Sequence, residues 1–227
     1  MAVNIVEKID DRVPVRNVLV SLSDKQGLEG LVKELIGLLP GLTIFSTGGT
    51  FTRLQEILGK KGAGVLVPVS RYTGQPETQG GLVKTLDFKI YLGLLTETYN
   101  PSHQEDLKRT GALPIDLVMV NLYPFKQTIE KEKVTVEEAR ANIDIGGPCM
   151  VRAAAKNFHR VAVLVDPADY AGFLQGLKNN QGCTQLNDRF RLAVKAFQHT
   201  AAYDQQISSH LGKINFPQAA GCYNIQR

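Results

Sequence analysis

Between Asn17 and Val69 three short apolar runs alternate with two amphipathic stretches, and few folds accommodate that order. Asn17-Val18-Leu19-Val20-Ser21-Leu22, Leu42-Thr43-Ile44-Phe45 and Val65-Leu66-Val67-Pro68-Val69 are rich in branched residues and too short for helices, which predicts buried strands. Ser23-Asp24 after the first run is expected to cap a helix with Leu28, Leu31, Val32, Leu35 and Ile36 on one side, and Pro40-Gly41 to end it. The second run leads through Ser46-Thr47-Gly48-Gly49-Thr50 into a helix reaching about Leu58. Strand, helix, strand, helix, strand is the pattern of a parallel sheet packed under helices. Such a sheet holds ligands beyond the C-terminal ends of its strands.

The pattern continues after a glycine-rich loop that runs from Tyr72-Thr73-Gly74 to Gly80-Gly81. Asp116 to Leu122 and Val161 to Val165 predict two more buried strands. Helices are expected from Val136 to Asn142, capped by Thr135, and from Cys149 to Asn157, opened by the loop Ile143-Asp144-Ile145-Gly146-Gly147-Pro148. Asp166-Pro167 is expected to cap a further helix. Gln185 to Leu211 reads as a long one, with Phe190, Leu192, Ala193, Ala196, Phe197, Thr200 and Ala201 on or near one stripe.

With 43% hydrophobic and 21% charged residues in a chain of 227, the balance is that of a globular protein. No apolar run is long enough to span a bilayer, and the N-terminus does not read as a signal peptide. Three widely separated cysteines argue against a disulfide framework and a zinc site, which favours a reducing, cytoplasmic setting. The net charge of +4 is modest and dispersed, so neither nucleic acid nor membrane is an expected partner.

Several polar groups fall where such a sheet binds ligands. At Ser46-Thr47-Gly48-Gly49-Thr50, backbone N–H groups and a helix N-terminus suit a phosphate, although a tight connection that binds nothing has the same sequence. It matches neither a Walker A loop nor a full dinucleotide fingerprint, so ATP and NAD are not supported. Ser21, Ser23 and Lys25 follow the first strand and should neighbour that turn, Lys25 being either a phosphate contact or a solvated lysine. Lys84 and Thr85 come from the glycine-rich loop and suit an oxyanion or phosphate. Asn121 and Tyr123 end an apolar strand, as site groups or as a structural amide and a half-buried ring. Asp144, between two isoleucines, is a helix cap or a placed base. Arg152 and Lys156 share a helix face by their spacing, which is usually a solvated face.

The order of these groups carries more than any one of them. Ser-Leu-Ser-Asp-Lys at 21–25, Ser-Thr-Gly-Gly-Thr at 46–50, Tyr-Thr-Gly-Gln-Pro-Glu at 72–77 and Val-Lys-Thr-Leu at 83–86 come first. Asn-Leu-Tyr-Pro-Phe at 121–125, Ile-Asp-Ile-Gly-Gly at 143–147 and Arg-Ala-Ala-Ala-Lys-Asn at 152–157 follow. Together, from about Asn17 to Ser209, they resemble the IMP cyclohydrolase domain that forms the N-terminal part of a bifunctional purine-synthesis enzyme. The glycine turn is shared with methylglyoxal synthase-like domains. The resemblance implies an α/β fold: a Rossmann-like parallel sheet with helices on both faces and a helical C-terminal part. The expected division is an extension at 1–16, the domain at 17–211 and a tail at 212–227.

The implied reaction closes the ring of 5-formamidoimidazole-4-carboxamide ribonucleotide (FAICAR) to IMP and water, with no cofactor and no metal. The resemblance makes Asp144 the candidate base, with Lys84, Tyr123 and Lys156 acting on the formyl oxygen. It puts Ser21, Ser23, Lys25, Ser46, Gly48, Gly49, Thr50 and Thr85 on the phosphate side, and Asn121, Ile145 and Gly146 against the purine base. It also implies a homodimer and, since the chain ends where a formyltransferase domain would follow, a separate formyltransferase. The family reads Arg-Val-Lys-Thr-Leu-His-Pro where this chain has Leu82-Val83-Lys84-Thr85-Leu86-Asp87-Phe88. Its later His-Gly-Gly is here Tyr91-Leu92-Gly93. A noncatalytic nucleotide-binding regulatory module and another enzyme of the same fold are the competing expectations.

Overall fold

The protein is described from a computed structural model covering residues 5–76, 78 and 83–226. Glu77, Gly80, Gly81 and Leu82 of the glycine-rich loop lie outside the described residues. The strands are Arg12–Pro14 (β1), Asn17–Leu22 (β2), Thr43–Ser46 (β3), Leu66–Pro68 (β4), Leu117–Asn121 (β5), Ala162–Leu164 (β6) and Cys183–Gln185 (β7). The first half carries helices Leu28–Leu38 (α1), Gly48–Leu58 (α2), Val69–Thr73 (α3), Phe88–Leu95 (α4) and Pro101–Thr110 (α5). Phe125–Ile129 (α6), Val136–Ala141 (α7), Gly146–Lys156 (α8), Tyr170–Asn179 (α9), Leu186–Leu211 (α10) and Phe216–Ala220 (α11) follow.

Five strands form one sheet in the order β4-β3-β2-β5-β6, every pair parallel. Side chains on a strand alternate between faces, so each strand feeds two cores. Val18, Val20, Ile44, Met119 and Leu164 pack with Leu31, Leu35, Leu54 and Phe173 from α1, α2 and α9. Leu19, Phe45, Val118 and Val163 pack on the other face with Ile90, Met150, Ala154 and Ala196 from α4, α8 and α10. Helices therefore cover both faces, as expected. Three alanines in α8, Ala153 to Ala155, are buried and let α10 come close.

The structure differs from the reading of the sequence in several places. α1 starts after Gly27 in a left-handed conformation (φ 72°) with no side-chain cap, and Asp24 instead accepts from the Gln26 N–H in a tight turn. α8 starts at Gly146, three residues earlier than expected, because tertiary packing overrides the poor helix propensity of glycine. β1 and β7, seen only in the structure, pair antiparallel away from the main sheet. Thr135 caps α7 through a reciprocal pair with Glu138, as expected.

Chain order sets the site. From β2 the chain moves outward through β3 and β4, then β5 pairs with the other side of β2. Connections thus diverge on either side of β2, and the C-terminal strand ends open into a crevice there.

Candidate active site

A cavity of about 480 Å³ occupies that crevice. Its walls come from the segments after β2 (Ser21, Leu22, Ser23, Lys25), after β3 (Thr47 to Thr50) and after β5 (Asn121, Tyr123). Lys84 and Thr85 and the segment from Ile143 to Met150 close it. Thirteen of the fifteen candidate positions, from five separate segments, line this cavity; Ser46 and Lys156 do not. Ser46 lies instead in an adjoining pocket of about 300 Å³ that also touches Thr47, Gly48 and Lys84.

Two helices point their N-termini at the cavity. α2 begins at Gly48 with no side-chain cap, and its first internal bond is donated by Phe51 to the Thr47 carbonyl. The N–H groups of Gly48, Gly49 and Thr50 are therefore free to meet an anion, aided by the helix dipole. Gly48 takes φ 50°, a left-handed conformation that side chains disfavour, and this is what turns the strand into the helix. Gly146 opens α8, with Ile145 at its cap position making no side-chain cap bond.

The charges around these helix ends are two cations and one carboxylate. Lys84 makes no ion pair with a described residue, and its Nζ stands 3.7 Å from where a Gly48 side chain would begin. Lys25 donates to the carbonyls of Leu22 and Ser23, 3.1 and 3.3 Å away, and meets no carboxylate among the described residues. Both cations therefore suit an anionic ligand. Asp144 is the one carboxylate on the wall among the described residues. Burial pushes its pKa above the usual carboxylate value, while N–H groups of Gly147 and Tyr123 draw it partly back. Its Oδ1 accepts from the Gly147 N–H at 2.8 Å, so the cap expected from the sequence is formed, and the group remains in the cavity wall.

The other groups divide into ties and contacts. The Ser46 hydroxyl donates to the Val20 carbonyl, and that of Thr50 donates to the Leu22 carbonyl and accepts its N–H. Asn121 accepts from the N–H groups of Ser23 and Asp24 and donates to the Asp24 carbonyl. These three side chains tie β3, α2 and β5 to β2 and the segment after it, and the Ser46 and Thr50 hydroxyl donors are spent on the protein. Ser21, Ser23 and Thr85 keep side-chain hydroxyls with no partner among the described residues. Tyr123 and Ile145 stand at the rim, 52% and 58% exposed, where a flat apolar ligand would cover them. Asp87, at the altered loop, is buried and caps α4 by accepting from the Lys89 N–H.

Lys156 does not line the cavity. It ends α8, exposed, and α8 meets the cavity with its other end. Ten helical steps separate it from Gly146, about 15 Å along the axis. A shared motif thus does not bring these residues together within one subunit.

Gly147 has no room for a side chain: a β-carbon there would lie 2.5 Å from Asp144 Oδ2 and 2.8 Å from Leu122 Cδ2. Gly147→Ala is expected to destabilise the fold by about 1–3 kcal/mol through overpacking, read from urea unfolding. Unchanged stability would mean that the Asp144 segment yields freely.

No helix among the described residues is long and apolar enough to cross a membrane. Comparison with known proteins fits the geometry. Residues 27–149 match the MGS-like domain model, and residues 154–226 match the AICARFT/IMPCHase bienzyme model. The bifunctional purine biosynthesis protein PurH of Bacillus subtilis (strain 168) is 48% identical over 200 residues, 88% of this chain and 38% of the relative. PurH of Thermoanaerobacter sp. (strain X514) is 48% identical over 206 residues, 89% of this chain and 39% of the relative. The chain thus spans about two fifths of the length of these curated relatives. A solved structure titled "Crystal structure of ForH" is 32% identical, with a TM-score of 0.71 over 86% of this chain and 97% of that one. On its parallel sheet, its glycine turn and these matches, the chain belongs to the MGS-like domain family, with the AICARFT/IMPCHase bienzyme signature in its C-terminal part.

Proposed function

We propose that the chain is an IMP cyclohydrolase, closing the ring of FAICAR to give IMP and water. One observation carries the reading: two helix N-termini, two cations with no carboxylate partner among the described residues and a desolvated carboxylate share one cavity. The relatives named for purine biosynthesis support it. In this reading the phosphate sits on the N–H groups of Gly48, Gly49 and Thr50, beside Lys25, Ser21, Ser23 and Thr85. Ser46 and Asn121 shape that end from behind. The base lies between Tyr123 and Ile145, near the free N–H of Gly146.

The carboxamide nitrogen then bonds to the formyl carbon and gives a proton to Asp144, whose raised pKa makes it a better acceptor than an ordinary aspartate. Lys84, on a turn and without an ion pair among the described residues, and Tyr123 polarise the formyl oxygen; the adduct loses it as water, its C–O bond breaking as the proton from the carboxamide nitrogen and the one from the formamide N–H pass to the oxygen. Lys156, which the resemblance also puts on the formyl oxygen, lies outside the cavity within one subunit. We also infer a homodimer, as the resemblance implies, which light scattering would test.

The direct test follows IMP formation from FAICAR by absorbance. Acceleration over the spontaneous reaction is expected. Binding of IMP with no acceleration would favour a nucleotide-sensing module instead.

A further inference from the structure

We propose that Tyr203 is a positioning residue for Asp144, acting from α10 to hold the carboxylate in the cavity wall. The inference rests on the reading of Asp144 as base. Asp144 lies in the short segment between α7 and α8, where no helix or strand fixes its backbone. Hydrogen bonds hold the residue instead. Gly147 holds Oδ1, and the main-chain N–H of Asp144 donates to the Tyr203 hydroxyl at 2.8 Å. That hydroxyl donates onward to the Asn142 carbonyl at 3.4 Å, so one phenol grips the segment on both sides.

The grip is rigid. Tyr203 is buried and sits on a 26-residue helix that packs along α8 and β6. Its ring meets the edge of Phe125 with centroids 6.2 Å apart, and Phe125 follows Tyr123-Pro124 directly. The aromatic pair therefore ties the segment bearing Tyr123 to the segment bearing Asp144. Tyr203 is not part of the cavity wall, so its influence on a ligand has to pass through Asp144. Burial and the nearby Asp144 charge raise the phenol pKa, which keeps its proton on at neutral pH.

Tyr203→Phe removes the oxygen and keeps the ring. Its kcat for FAICAR should fall about tenfold or more, because a displacement near 1 Å at a reacting group costs up to about a hundredfold. IMP affinity, which reports the phosphate end, should stay within about threefold. In an Asp144→Asn background the same change should cost nothing further, a coupling that a general loss of packing would not produce. Full turnover in Tyr203→Phe beside a working wild type and an inactive Asp144→Asn would overturn this inference alone. So would an equal further loss in the double variant. A wild type that does not convert FAICAR would overturn the cyclohydrolase reading as well.

Discussion

Asp144→Asn is expected to bind IMP about as tightly as the wild type and to close the ring about 10²–10⁴-fold more slowly, the range removed with a general base. The substitution is conservative where it matters for structure: an amide oxygen still accepts the Gly147 N–H that Oδ1 now holds at 2.8 Å. The proposed phosphate end, the α2 N-terminus with Lys25, is untouched. Isothermal titration with IMP and turnover of FAICAR separate the two effects. An unchanged rate would remove Asp144 from the base role.

Two pH signatures go with it. A base works deprotonated, and burial raises the Asp144 pKa above the ordinary carboxylate value. Wild-type kcat/KM should therefore fall as pH drops through that raised pKa, a limb missing from the variant. For stability the sign runs the other way. A carboxyl group that holds its proton more tightly when folded destabilises the fold once it ionises, so at neutral pH the asparagine variant should melt no lower than the wild type.

Arg189→Met should cost roughly 3–5 kcal/mol, with a melting point about 10 °C lower or more for a chain of this size. Arg189 is 0% exposed although it is charged. Its guanidinium donates to the carbonyls of Phe158, Asp11, Thr184, Asp10 and His159. One side chain thus fastens the N-terminal segment, the turn before β6 and β7 to the long helix. The apolar replacement leaves those buried acceptors without a donor, each worth about 1–3 kcal/mol before water re-enters. Arg189→Lys should recover little, since a single ammonium cannot span a five-donor fork. Urea unfolding reads both variants. A loss below about 1 kcal/mol for Arg189→Met would mean that water satisfies these carbonyls.

Nothing in the sequence marks Arg189, which falls in a stretch where arginine normally serves as a solvated helix residue. The same holds for β1 and β7. Three residues such as Arg12–Pro14 carry no readable period, and their partners lie about 170 positions away. Tyr203 escaped for a similar reason, since its bond to Asp144 joins positions 59 apart. By contrast, the runs forming β2, β3, β5 and β6 were legible because buried parallel strands are continuous apolar stretches. The glycine turn was legible because only glycine enters α2 at φ 50° easily.

The sequence by itself determined the alternation of strands and helices, the anion-suited turn and the chemical kinds of side chain at the ends of the strands. These follow from propensity, periodicity and glycine geometry, which are local properties. Only the tertiary structure decided which polar groups face the ligand and which are spent on the protein. The hydroxyls of Ser46 and Thr50 and the amide of Asn121 look like ligand donors in sequence, yet each bonds to β2 or to the segment that follows it. Lys156 shares a motif with the site but leaves it, because ten helical steps carry it about 15 Å away. Buried polar groups bond to whatever the sheet register and helix packing place beside them, and that choice is not written at any one position.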